Sequence, residues 1–99
     1  MELALDGFDW DRGNRAKCGK HGVSADEIEA LFRAEPLVAP DPGHSDQETR
    51  FIAVGRNAEG RPMFVAFTFR TLGGARLLRP VTARYMHEKE IRAYEAARS

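Results

Sequence analysis

FIAVGRNAEGRPMFVAFTFRTLGGARLLRPVTAR, residues 51–84, is the stretch that decides the fold of this 99-residue chain. Three strand-like runs are divided by turn formers. Phe51 to Arg56 is the first, and Asn57-Ala58-Glu59-Gly60 has the composition of a hairpin turn. Met63 to Phe69 is apolar on both faces, as a central strand is. Gly73-Gly74 turns the chain again, and Leu77 to Thr82 is the third run. Pro80 lacks an amide proton, which puts it at a sheet edge or a bulge. A regular pleat from Arg76 to Arg84 would set Arg76, Leu78, Thr82 and Arg84 on one face and Leu77, Arg79, Val81 and Ala83 on the other. Pro80 is where that register can break. Short turns between successive strands imply an antiparallel meander.

Toward the N-terminus, residues 3–10 (Leu3, Leu5, Phe8, Trp10) read as a short strand. Asp11 caps a helix over 12–19, with Gly19 and Gly22 at its exit. Ser24 and Glu27 form a capping box, and Val23 with Ile28 fits a hydrophobic staple. Ile28, Leu31 and Phe32 then share one face, and Pro36 stops this second helix near Ala34. Leu37-Val38-Ala39 is a brief strand, followed by a loop from Pro40 to Thr49. Toward the C-terminus, the pattern from His87 onward is helical, with Ile91 and Tyr94 inward and a Glu88–Arg92 pair outward. His87 and Glu90 stand at capping-box spacing. The expectation is one α+β domain over 1–99: two N-terminal helices, a small, mostly antiparallel sheet of about four strands, and a C-terminal helix.

Length and composition narrow the class. A domain usually takes about 100–150 residues, which leaves no room here for a second. Hydrophobic residues make up 42% and charged residues 30%, the balance of a soluble globular chain. A chain this short buries only about 60–65% of its unfolded surface, so its core is thin and a partner is a natural complement. No apolar run approaches the roughly 18–20 residues that span a bilayer, and Met1-Glu2-Leu3 lacks the order of a signal peptide, so the expected location is the cytoplasm, with no membrane contact. The single cysteine, Cys18, excludes an internal disulfide and a cysteine-based zinc cage.

The formal net charge is zero, yet it is unevenly distributed. Residues 1–49 hold five Lys+Arg against eleven Asp+Glu; residues 50–99 hold ten against four. Arg61, Arg70, Arg76, Arg79 and Arg84 follow one another with no acid between them. Arginine is the side chain fitted to bidentate phosphate contacts, so this run points to a polyanionic or acidic partner, with a solvated strand face as the plain alternative. Arg12, Arg15, Lys17, Lys20 and His21 form a second basic cluster.

Few constellations carry chemistry. Cys18 and His21 stand three apart, but no second pair at metal-ligand spacing exists, and the expectation is no metal and no cofactor. There is no nucleophile elbow, phosphate-binding glycine loop or calcium loop. Lys20-His21-Gly22 is the most informative short string, because imidazole is the side chain that gives and takes protons near neutrality; capping of helix carbonyls is the alternative role. Arginines at strand ends facing one groove would bind a phosphate and stabilise charge spreading over its oxygens. The alternative for Arg84 is an ion pair with Glu90 or Glu95.

Taken in order, Phe8-Asp9-Trp10-Asp11, Asn14, Lys17, Lys20-His21-Gly22-Val23-Ser24, Pro40-Asp41-Pro42, His44-Ser45, Glu48, Arg50-Phe51 and Arg79-Pro80-Val81-Thr82-Ala83-Arg84-Tyr85-Met86 with Glu90 resemble the BrnT-type toxins over about residues 8–95. The resemblance implies a fold like that of the RelE toxins. It also implies a type II toxin–antitoxin ribonuclease that cuts RNA without a metal, the 2′-hydroxyl attacking the adjacent phosphate. The partner so implied is a BrnA-like antitoxin with a ribbon-helix-helix part, through which alone the pair would reach operator DNA. By position, His21, Arg70 and Arg84 become the candidate catalytic residues, with Lys20, Arg79, Thr82 and Glu90 binding RNA or supporting them. Two departures stand out: there is one residue fewer between Asp11 and Lys20 than in many members, and Thr82 stands where the family usually has serine. A catalytically weak, toxin-like partner and co-repressor is the alternative within the family, and an unrelated small domain the alternative outside it.

Overall fold

The structure is a computed structural model and describes residues 5–44 and 48–98. Leu3 and Ser45, which figured in the sequence reading, lie outside the described residues, as does the side chain of His44. The chain order is β1 (Gly7–Phe8), α1 (Arg12–Gly19), α2 (Ala25–Arg33), β2 (Leu37–Pro40), a short 3-10 turn (Pro42–His44), β3 (Phe51–Arg56), β4 (Pro62–Leu72), β5 (Ala75–Tyr85) and α3 (Glu88–Arg98).

The sheet is larger than the sequence reading allowed. It has five strands in the order β1-β5-β4-β3-β2. The meander of β2 to β5 is antiparallel throughout, while β1 joins the outer edge of β5 in parallel, pairing Gly7 with Leu77 and Phe8 with Leu78. Of the strand expected over 3–10, the described residues 5–10 form only Gly7–Phe8 as strand, after which the chain turns into the Asp11 cap. β4 and β5 each run 11 residues, longer than expected, because their ladder continues as a two-stranded ribbon to the Gly73-Gly74 turn.

The local signals explain the helices. In α1, Asp11 accepts from the Asn14 amide while the Asn14 side chain accepts from the Asp11 amide, a reciprocal cap. Ser24 and Glu27 do the same for α2. Ile28, Leu31 and Phe32 are buried as the spacing predicts. α2 comes close enough to the sheet that a Cβ on Gly55 would stand 2.6 Å from Leu31 Cδ1, so a larger residue there would have to displace the Leu31 side chain. Phe67 lies at the centre of the core, edge-on to Phe32 at 4.9 Å and stacked on Phe51 at 5.6 Å between ring centroids.

β5 departs from a regular pleat. Ala66 pairs with Thr82 but its neighbour Phe67 pairs with Pro80, so Val81 is an extra residue, a β-bulge. The buried positions of β5 are accordingly Leu78, Pro80 and Ala83 rather than an unbroken alternation. Leu78 and Pro80 face α2 with Ala83 and Tyr85; Thr82 and Arg84 turn to the other face with Leu77 and Arg79. The face assignment expected for Thr82 and Arg84 is thereby reversed relative to Arg76 and Leu78. The break falls at Pro80, where it was anticipated, because proline cannot donate to the ladder.

β5's outer edge is closed in sequence. Asp6 N donates to the Arg76 carbonyl and Asp9 N to the Leu78 carbonyl. The buried Asn14 side chain donates to the Pro80 carbonyl at 2.8 Å, extending that ladder by one rung from α1. α1 is therefore laid along the edge of β5, with its N-terminal half at the bulge and its exit directed toward Arg84.

Candidate active site

The sheet has a covered face, toward α2, and an opposite face formed by Ile52, Val54, Phe64, Ala66, Thr82 and Arg84. The registers place Phe64 opposite Arg84, Ala66 opposite Thr82, and Ile52 beside Ala66. α3 reaches one end of this second face. Glu90 accepts from both terminal nitrogens of Arg84 at 2.8 Å, and Arg56 lies over the Tyr94 ring and 3.6 Å from Glu95. The area left open is a cavity of about 340 Å³ lined by His21, Ile52, Phe64, Ala66, Thr82, Ala83 and Arg84.

Three candidates from different parts of the chain thus meet. His21 arrives from the turn after α1, where Gly22 takes φ +85°, a left-handed conformation that glycine tolerates freely. Tyr85 steadies this turn from the covered face. Its hydroxyl donates to Glu27 Oε2 at 2.7 Å and lies 3.4 Å from the Gly22 carbonyl, while Arg61 stacks on its ring at 3.6 Å. The hydrogen bond to Glu27 raises the pKa of Tyr85, keeping it a neutral donor. Thr82 and Arg84 come from β5 beyond the bulge.

Arg84 is strongly organised. Its guanidinium lies 4.5 Å from the Phe64 ring centroid, besides its two bonds to Glu90. Glu90 in turn accepts from the His87 amide at 2.8 Å, the capping role its spacing foretold. The Arg84 guanidinium first, and the His87 amide second, pull the Glu90 carboxyl down to about 2. The site therefore offers an imidazole, a hydroxyl and an oriented guanidinium around an apolar floor. Such a set can move a proton and neutralise a phosphoryl group.

Other sequence candidates stand apart. Arg70 is on the ribbon extension, 3.6 Å from Glu48, and does not line the cavity. Arg79 lies further back on β5, held by Asp11 at 2.8 Å and Asp9 at 3.3 Å. Lys20 is exposed beside His21. Cys18 is buried, and desolvation pushes its thiol up to about 11, so it is an inert core group facing away from the exposed His21. Among the described residues no three His, Cys, Asp or Glu side chains cluster as metal ligands would. No helix among them is long and apolar enough to cross a membrane. Sequence reasoning did not single out Phe64, Ile52 and Ala66, which floor the cavity. Alternation in β3 and β4 shows that they share a face, but not that the face is left open.

This meeting of His21, Thr82 and Arg84 can be set beside known proteins. Residues 10–90 match the family model described as "Ribonuclease toxin, BrnT, of type II toxin-antitoxin system". The chain belongs to the BrnT family. Family membership makes this BrnT chain a ribonuclease toxin of the type II class, a kind that works opposite an antitoxin. Among curated proteins none gives a significant match. All the residues of the cavity fall within the matched span.

Proposed function

We propose that the cavity between the His21 turn and the open end of β5 is where this BrnT chain cleaves RNA, as a cytoplasmic endoribonuclease that uses protein groups instead of a metal. The observation that carries the reading is the shared cavity of His21, Thr82 and Arg84. In the reaction a base removes the proton of a ribose 2′-hydroxyl, and the 2′-oxygen bonds to the adjacent phosphorus. The bond from phosphorus to the 5′-oxygen breaks, and that oxygen takes up a proton. The products are a 2′,3′-cyclic phosphate and a 5′-hydroxyl end. His21 carries one proton transfer, and Lys20, next to it in the chain, is the candidate for the other. Arg84 stabilises charge growing on the non-bridging oxygens, and Thr82 donates a hydrogen bond to them. Glu90, held at about 2, is too weak a base for neutral pH and acts as the partner that orients Arg84. Arg70, outside the cavity, contacts the RNA strand beyond the cut.

The partner in this reading is a BrnA-like antitoxin with a ribbon-helix-helix part, which represses the operon and brings the pair to operator DNA. A second reading within the family has its own observation. Glu90 occupies both terminal nitrogens of Arg84. If that pair does not open for substrate, the chain serves mainly as antitoxin partner and co-repressor.

The test is cleavage of a single-stranded RNA by the purified toxin in excess EDTA, with analysis of the ends. Cleavage leaving 2′,3′-cyclic phosphate, and lost in His21→Ala and Arg84→Ala, supports the first reading. An intact RNA in the presence of folded toxin favours the second.

A further inference from the structure

A second, larger cavity of about 530 Å³ lies between α1 and β5, lined among others by Arg12, Asn14, Lys17, Arg79 and Val81. We infer that it is a subsite for the phosphodiester backbone of single-stranded RNA flanking the cut, with Arg12 and Lys17 as the phosphate contacts. The inference rests on the ribonuclease reading of the first cavity and extends it along the β5 edge.

Three observations support this. First, the two cavities share one track. α1 runs along β5, so its N-terminal half meets Arg79 to Val81 while its exit delivers His21 to Thr82 and Arg84. From Asn14 to His21 is seven residues, roughly 10 Å at 1.5 Å per residue. At about 3.4 Å per stacked nucleotide this is about three nucleotides of strand.

Second, the free charge on this track is positive. Arg12, Lys17 and Lys20 are exposed and make no ion pair among the described residues, and no acid occurs between Arg12 and Ser24. The two carboxylates nearest the cavity, Asp9 and Asp11, are turned onto Arg79. Arg79 answers one of their two charges, and Arg12, Lys17 and Lys20 outweigh the other, so the track as a whole attracts a phosphate. Hydrogen bonding to the Asn14 amide and then to Arg79 keeps Asp11 below its usual carboxylate range, so its pairing with Arg79 persists at physiological pH.

Third, the walls are fixed rather than mobile. Asn14 is buried and bonded to the Asp9 and Pro80 carbonyls, and the Val81 bulge sits opposite it. Lys17 is three residues after Asn14 in α1 and projects beside it. The cavity therefore exists before any strand arrives, and the flexible cations at its rim are the parts that adapt.

The experiment measures binding of a 2′-O-methylated single-stranded RNA dodecamer, which cannot undergo 2′-hydroxyl attack, and of the matching trinucleotide. Both are titrated against the full chain and against R12Q/K17Q at several salt concentrations. Losing two phosphate contacts lowers the slope of log K against log salt by about 1.4, equal to about 25-fold weaker dodecamer binding at 0.1 M salt than the parent. Trinucleotide binding stays within twofold. The control R33Q/R92Q removes two exposed cations elsewhere and leaves the slope unchanged. An unchanged slope for R12Q/K17Q, an equal drop in the control, or an equal loss on the trinucleotide each overturns the subsite. So does a variant that keeps dodecamer affinity but loses its antitoxin, which would assign the surface to protein docking. Cleavage of unmethylated dodecamer by the parent is scored separately. A parent that cleaves, with the slope unmoved, sinks the subsite alone. A parent that binds and shows the slope change without cleaving keeps the subsite and sinks the ribonuclease reading. A parent that does neither sinks both.

Discussion

The two faces of one sheet obey different rules. On the covered face, Met63, Val65, Phe67, Leu78 and Ala83 are sealed under Phe32, Leu31 and Ile28. On the other, Ile52, Phe64 and Ala66 carry similar apolar side chains, but they floor an open cavity rimmed by His21, Thr82 and Arg84. Hydrophobic content alone does not distinguish the two. The distinction comes from which face α2 covers and from where polar groups arrive at the rim. One face supplies stability, and the other has apolar surface to spare for a ligand.

This contrast can be broken in graded ways. The largest effect is expected from Phe67→Ala, which empties the centre of the aromatic cluster. It should lower unfolding free energy by about 3–5 kcal/mol in chemical denaturation, with any loss of cleavage tracking the folded fraction. Arg84→Ala and His21→Ala on the open face should do the reverse. Cleavage falls by about 10²–10³ or more, while unfolding shifts by less than about 1 kcal/mol, since the Arg84–Glu90 pair is partly solvated. A large stability loss in either would mean that the open face is structural after all. Asn14→Ala strips the Asp9 and Pro80 carbonyls of their donor and should destabilise by about 1–3 kcal/mol. It should also loosen His21 relative to β5, so a change in RNA affinity should accompany the change in melting temperature.

Smaller effects sharpen the picture. Glu90 titrates at about 2 in the folded chain against 4.5 for the free group, because of Arg84 and the His87 amide. Its folded value is depressed, so its stabilising contribution is complete above about pH 4.5 and disappears as pH falls through about 2. Melting temperatures of the parent and Glu90→Gln should therefore differ at neutral pH and converge toward pH 2. A constant offset would separate Glu90 from Arg84. The smallest effect concerns the antitoxin. Association through acidic groups on the arginine-bearing face should weaken several-fold between low and physiological salt, and a salt-insensitive, apolar interface would contradict it.

Much of the scaffold was legible because it is locally determined. The Ser24–Glu27 box, the Asp11 cap and the turns at Asn57–Gly60 and Gly73-Gly74 depend on near neighbours, and each stands where its residues put it. Asn14 reads differently. In sequence it weakens a helix; in the fold it is a buried cap and an edge donor to Pro80, 66 residues away, a partner that no window can see. The charge asymmetry likewise hides partners distant in sequence. The run from Arg61 to Arg84 contains no acid, yet Asp9 and Asp11 reach Arg79 and Glu48 reaches Arg70 across the sheet. The two oppositely charged halves interleave at Arg70 and Arg79, while Arg84 takes its acid, Glu90, from its own half. Of the site, the family resemblance pointed to His21, Arg70 and Arg84 with Lys20, Arg79, Thr82 and Glu90 in support; His21, Thr82 and Arg84 line one cavity and Arg70 does not, and the apolar floor depends on long-range register and was not legible.

The one-residue bulge at Val81 acts as a phase shifter for everything downstream on β5. Drawing Val81 into a regular pleat without that bulge would swing the hydroxyl and the guanidinium into the interior and push Ala83 outward, leaving the composition unchanged. Relatives of equal length that pair this strand with and without the bulge would therefore share an amino-acid inventory and differ in what they can do. In judging which family members are competent, how the residue between Pro80 and Thr82 is accommodated should weigh as much as the presence of the hydroxyl and the guanidinium.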